Sequence, residues 1–167
     1  TFLHPPSHST DDRHLPCIAH IQHEFIIMYQ PPTTLSMHPC TNMMNGITEL
    51  LEFPLLNTGQ ETVQIIEATR WNSKPVSGHK DALQHLQSNT HCTTDTDPRD
   101  PAHALLDLHA LQRAVSLFTA DETSTANTNT LRTLIIISTS TQPQTPQAQQ
   151  ICDDIRSDLS RLRVEVF

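Results

Sequence analysis

The chain has 167 residues, with ten Lys and Arg against eighteen Asp and Glu and a formal charge of −8. That length suits one domain with a sizeable core, and scattered, outnumbered basic residues argue against a direct grip on nucleic acid. There is no apolar run of roughly 18 residues, so no membrane-span pattern, and no n-region/h-region signal-peptide pattern.

Apolar content is 36% and charged content 17%, both low, yet the apolar residues are segregated into runs. The mixture therefore reads as a folded core carrying polar, loop-rich surfaces. Thr1 to Leu15 lacks periodicity and is rich in His, Pro and Ser, which predicts a flexible tail over 1–15 and a single domain over 16–167. Glu24 to Tyr29 is a first buried strand, and the prolines of 30–39 make a loop. From Asn42 to Leu56, Met43, Met44, Ile47, Leu50, Leu51 and Leu55 recur at helical spacing, with Thr41 as N-cap and Gly59 as the stop.

Thr62 to Ala68 is a second strand. Arg70 to Val76 reads as a short third strand at an edge, because Pro75 cannot donate to a central ladder. Ser77 is placed to cap a helix through Leu83 and Leu86. Asn89 to Pro101 is a polar loop, and Ala102 to Phe118 a helix with Leu105, Leu108, Leu111, Val115 and Phe118 toward the core. After a Ser/Thr/Asn loop come the apolar strand Leu131 to Ser138, the helix Pro146 to Leu162 and the β-branched run Arg163 to Phe167.

That last third is a βαβ unit with buried parallel strands. The alternation along the chain predicts an α/β three-layer sandwich with a mostly parallel sheet. In such sheets ligands bind outside the carboxyl ends of the strands, here around Ser138 to Gln142.

Cys17, Cys40, Cys92 and Cys152 lie far apart without a CxxC pair, and in a domain of this size they read as reduced, partly buried thiols of an intracellular protein. His14, Cys17, His20 and His23 recur every third residue, but a segment leading into a strand scatters that period over both faces, so solvated histidines are expected and no metal site. His79, His85 and His91, like His103 and His109, are six apart, which keeps no helix face, and they are assigned to the surface. Asp95, Asp97 and Asp100 lack the turn glycine and ordered spacing of a cation loop. Asp153, Asp154 and Asp158 lie opposite Ile151, Ile155, Leu159 and Leu162 and form a wet face. Tyr29 and Trp71 are assigned to core or rim packing. With three glycines, Gly46, Gly59 and Gly78, nucleophile-elbow, P-loop and dinucleotide fingerprints are absent. No catalytic set emerges, so the expectation is a protein that is not an enzyme and needs no cofactor.

Four stretches resemble the von Willebrand factor A (vWA) domain, and within it the vWA subunit of the transcription and repair factor TFIIH. Val63 to Arg70 is similar to the second strand and its basic turn. Ser77-Gly78-His79-Lys80 with Leu83 and Leu86 is similar to a Ser-Gly helix entry. Pro101 to Phe118 is similar to a small loop and Leu/Ala helix, and Leu134 to Thr141 with Pro146, then Leu162 to Val166, to a strand, turn and following strand. The resemblance implies a vWA-like, Rossmann-like fold that is C-terminally incomplete, since the family's final strand and helix would follow Phe167. The chain's start at Thr1 and its end within a strand read likewise as a piece of something longer.

Metal-binding vWA domains carry an Asp-x-Ser-x-Ser set after the first strand. Here that place reads Tyr29-Gln30-Pro31-Pro32-Thr33-Thr34, and the fourth-strand turn is Ser138-Thr139-Ser140-Thr141, so a metal-free fold is expected. The resemblance further implies a nuclear interaction scaffold in a multisubunit complex, supporting a helicase partner in transcription initiation and nucleotide excision repair. Partner contacts are expected at Gln30, Thr33, Thr34, Ser36, Arg70, Lys74, Ser138, Thr139 and Gln142. Competing readings are a vWA-type proteasome scaffold and a metal-dependent hydrolase using the His and Asp clusters.

Overall fold

The computed structural model describes residues 22–32, 38–53, 61–68, 74–88, 92, 105–119 and 130–167. The predicted tail, His14, Cys17, His20, Trp71, His91, His103 and the Asp95, Asp97 and Asp100 group lie outside them. The elements are strand β1 Gln22–Gln30, helix α1 His38–Glu52, strand β2 Glu61–Glu67, strand β3 Val76–Ser77, helix α2 His79–Gln87, helix α3 Leu108–Thr119, strand β4 Thr130–Ser138, helix α4 Pro146–Leu162 and strand β5 Val164–Val166.

One five-stranded sheet runs β3-β2-β1-β4-β5. β1 is central and pairs in parallel with β2 through Phe25↔Val63 and Tyr29↔Glu67, and with β4 through Phe25↔Thr133 and Gln30↔Ser138. β4 pairs in parallel with β5, and only β3 is antiparallel. Six consecutive buried residues, Glu24 to Tyr29, make β1 a strand covered on both faces.

The period of two divides the core. Ile26, Met28, Ile66 and Leu134 pack with Leu111, Val115 and Phe118 of α3 and Cys152, Ile155 and Leu162 of α4. Phe25, Ile27, Tyr29, Val63 and Ile65 pack with Cys40, Met44, Ile47 and Leu51 of α1 and Ala82 and Leu86 of α2. The result is an α/β architecture with a mostly parallel sheet between two helical layers, compatible with a Rossmann-like sandwich. The βαβ unit of the last third is present: Thr145 caps α4 by accepting from the Ala148 amide, Pro146 occupies the first turn, and Arg163 ends the helix in the left-handed region with φ 54°.

Several local expectations are corrected. α1 begins four residues before Asn42 and contains Thr41, because Pro39 fits a first helical turn, where its missing N–H is no loss. It ends at Glu52, since Phe53 precedes Pro54 and a residue before proline is pushed out of the helical region. The edge strand is Val76–Ser77, just after Pro75, so Ser77 belongs to the ladder. The residue at the α2 N-cap is Gly78 (φ 96°), which makes no side-chain cap bond. α3 starts at Leu108 because Asp107 caps it, its Oδ1 accepting from the Ala110 amide at 3.0 Å; Leu105 precedes the helix and is exposed instead of buried.

The cysteines are not all free thiols: Cys40 and Cys92 form a disulfide across 52 residues, while Cys152 is free and buried. Spacing gave no warning, because the pairing depends on α1 and the end of α2 meeting in space. His79 and His85, expected at the surface, are half-buried; the His79 ring donates from Nε2 to the Leu51 carbonyl, joining the start of α2 to the end of α1. His109, Asp153, Asp154 and Asp158 are exposed, as their helical positions predict.

At the amino end of the strands Glu24 and Arg132 face each other across β1 and β4, Nε to Oε2 3.4 Å, both largely buried. Arg132 Nη1 also donates to the Leu162 carbonyl, so the side chain ties the base of β4 to the end of α4. A buried pair of this kind matters chiefly because removing one partner strands the other charge.

Candidate functional site: the carboxyl edge of the sheet

Between β1 and β4 the chain's direction of travel across the sheet reverses. β2 lies on one side of β1 and β4 on the other, so the switch point of the sheet, where open α/β sheets bind ligands, falls at the carboxyl ends of β1 and β4. Gln30, the last residue of β1, stands there. Its Nε2 donates to the Leu105 carbonyl at 2.9 Å and to Ser140 Oγ at 3.1 Å, and its Oε1 accepts from the Asp107 amide at 2.9 Å.

One amide side chain thus gathers three segments. Leu105 also forms an isolated parallel bridge with Thr141, and the Leu106 amide donates to the Thr141 carbonyl at 2.9 Å. Within the turn, Ser138 Oγ accepts from the Ser140 amide at 3.0 Å, and Gln142 Nε2 donates to the buried Cys152 sulfur at 3.2 Å.

Of the residues expected at this edge, Gln30, Ser138 and the following turn come together as described, with Thr139 and Gln142 exposed on that turn. Lys74 is exposed just ahead of the edge strand β3, with β2 standing between β3 and β1. It is therefore displaced from Gln30 by about two strand spacings, roughly 10 Å. Thr33, Thr34, Ser36 and Arg70 lie outside the described residues.

The sequence reading missed Asp107, although an Asp immediately before Leu108 is an ordinary N-cap signal. It also missed a network on the α1/α2 side of the same edge. The Tyr29 hydroxyl donates to Glu67 Oε2 at 3.3 Å, and His85 Nε2 lies 3.6 Å from the same oxygen. Tyr29 and Glu67 are register partners on neighbouring strands, while His85 comes from α2, so only the folded chain assembles them. Burial, then the Glu67 charge and its hydrogen bond, push the Tyr29 phenol far above its ordinary range, so it stays protonated as a donor.

At the opposite end of β1, His23 hydrogen-bonds Thr133 Oγ1 at 2.9 Å and stacks on Phe25. Burial lowers the pKa of its ring, opposed by the charges of Glu61 and Glu165.

Chemically this end of the sheet presents an amide, hydroxyls and backbone groups that tie its segments together through directional hydrogen bonds. Among the described residues no three His, Cys, Asp or Glu side chains converge as metal ligands. No helix is long and apolar enough to cross a membrane among those residues. No protein-family model matches the chain, and no curated protein matches it.

Proposed function

We propose that this chain is a non-catalytic, vWA-like interaction scaffold that works without a metal or other cofactor. By its resemblance to the TFIIH vWA subunit it supports a helicase partner within a nuclear assembly serving transcription initiation and nucleotide excision repair. One observation carries the reading. At the end of the first strand, where metal-binding vWA domains place a carboxylate, Gln30 spends both ends of its amide on the chain's own loops. A neutral amide committed in this way stabilises a surface and supplies no charge to hold a divalent cation. The excess of acidic over basic residues supports protein subunits, not nucleic acid, as direct partners.

The contact surface is the carboxyl edge, from Gln30, Thr33, Thr34 and Ser36 across Arg70 and Lys74 to Ser138, Thr139 and Gln142. The Cys40–Cys92 disulfide sets a condition on the nuclear placement, because nuclear thiols are kept reduced.

The test is affinity purification of the tagged full chain from nuclear extract, with Arg70→Glu/Lys74→Glu alongside. A helicase-containing complex is expected with the unaltered chain and at least about a tenfold loss with the double variant, the scale of one lost charged contact. Undiminished recovery by the variant would remove the contact surface from this edge. Recovery of proteasome subunits instead would move the scaffold to another assembly, and stoichiometric zinc in the purified chain would overturn the metal-free reading.

A further inference from the structure

We infer that the Cys40–Cys92 disulfide is an exchangeable staple that low-molecular-weight thiols open and close in the folded chain. α1 starts and α2 ends at the carboxyl edge of the sheet, and the two helices run in opposite directions on one face. At their far ends His79 bonds the Leu51 carbonyl. At the carboxyl edge Cys40, in the first turn of α1, is joined to Cys92, four residues beyond Ser88 at the end of α2. The helix pair is therefore closed at one end by a hydrogen bond and at the other by a bond that thiols can break.

Two further features make this bond exchangeable. Its two residues are unequally buried: Cys40 is 3% exposed, whereas Cys92 is only half-buried, which favours attack of an incoming thiolate at Cys92. Cys40 then departs from the first turn of α1, the end of the helix dipole that favours negative charge. Apolar packing besides the bond also holds the helix pair, since Met44, Ile47 and Leu51 share one cluster with Ala82 and Leu86. Opening the staple therefore loosens one end of a layer without dissolving it.

The exchange balances with two equivalents of a glutathione-class monothiol. The first thiolate attacks Cys92 Sγ, the Sγ–Sγ bond breaks, and Cys40 leaves with the electron pair. The second attacks the small-molecule sulfur of the mixed disulfide, releasing Cys92 as thiolate. Both thiolates take protons from solvent, and the monothiol leaves as its own disulfide. The reverse sequence closes the staple.

Tyr29 packs in the same cluster as Cys40 and Cys92, and α2 contributes His85 to the Tyr29–Glu67–His85 network, so the staple's state bears on how firmly that network is held. That this tunes partner binding rests on the proposed function above; the exchange itself does not.

The test uses the isolated full chain in buffers of graded reduced-to-oxidised glutathione, without denaturant. Free thiols are trapped by N-ethylmaleimide and mapped by peptide, and amide exchange is followed in parallel. Cys40 and Cys92 should gain label together through one transition, with Cys152 protected. Amides in the second turn of α1, which bond the first-turn carbonyls, and in the last turn of α2 should exchange about tenfold or more faster, while β1 and β4 hold, as expected of local opening. Cys40→Ser/Cys92→Ser should show the fast pattern at every ratio.

Labelling of Cys40 and Cys92 only after denaturation, free Cys40 or Cys92 thiol in the oxidised chain, or unchanged exchange on reduction would each overturn the inference. A second arm repeats the helicase capture with oxidised and reduced chain. Capture in neither state would remove the contact reading and leave the staple standing.

Discussion

Gln30→Ala removes the side chain that joins β1, the segment before α3 and the turn after β4. Three hydrogen bonds disappear, but they do not weigh equally. The donation to Leu105 is exposed, and water replaces it at little cost. The bonds to Ser140 Oγ and from the Asp107 amide are part-buried, and each contributes about 1 kcal/mol net. The expected destabilisation is therefore about 2 kcal/mol, which for a chain of this size lowers the melting midpoint by about 6 °C.

Urea unfolding with linear extrapolation measures the loss, and an unchanged slope would show that the unfolded ensemble is not responsible. Amide exchange locates it. The Asp107 N–H should lose protection, while the Ala68 N–H, bonded to the Tyr29 carbonyl at 2.8 Å, should not. A loss below about 0.5 kcal/mol, the lower end for a single hydrogen bond, with Asp107 still protected, would mean that the bridge between Leu105 and Thr141 holds this edge and that Gln30 does not.

Tyr29 is the chain's one tyrosine and has no solvent-exposed surface. Its phenol is pushed far up in the fold, against about 10 when unfolded, so its contribution is fully present below pH 10 and is lost as pH rises beyond it. Above pH 10 the unaltered chain should lose about 1.4 kcal/mol more per pH unit than Tyr29→Phe; phenolate absorbance with a midpoint near 10 in chain that is still folded would contradict this. His23 has the opposite sense. Its folded pKa lies below 6.5, so stability is present above 6.5, falls as pH drops from 6.5 toward the lowered value, and levels off below it. His23→Gln should flatten that acid-side decline, and a ring that titrates by NMR at or above 6.5 in the folded chain would refute the assignment.

β1, β2, β4, α4 and β5 were legible in the sequence to within a few residues because their signals are local. A run such as Phe25 to Tyr29 can be satisfied only between two covering layers, and Ile151, Ile155 and Leu162 repeat at the helical period whatever surrounds them. The candidate edge was legible as a place, since strand order and carboxyl ends follow from the βαβ pattern, but not as a constellation. Asp107 is not legible as a cap because the Ala and Leu residues ahead of it favour a helix already under way, and nothing local shows that Gln30, 77 residues earlier, claims the Asp107 amide.

By itself, then, the sequence determined the architecture: which segments are strands, which are amphipathic helices, and that the sheet is largely parallel. The tertiary structure decided everything that rests on two distant residues meeting. These are the Cys40–Cys92 bond, the Gln30 clamp, the Tyr29–Glu67–His85 network, and the antiparallel pairing of Val76–Ser77 at the sheet's edge. Periodicity records how each segment meets an apolar core, whereas a specific partner becomes available only after the chain has closed the loops between them.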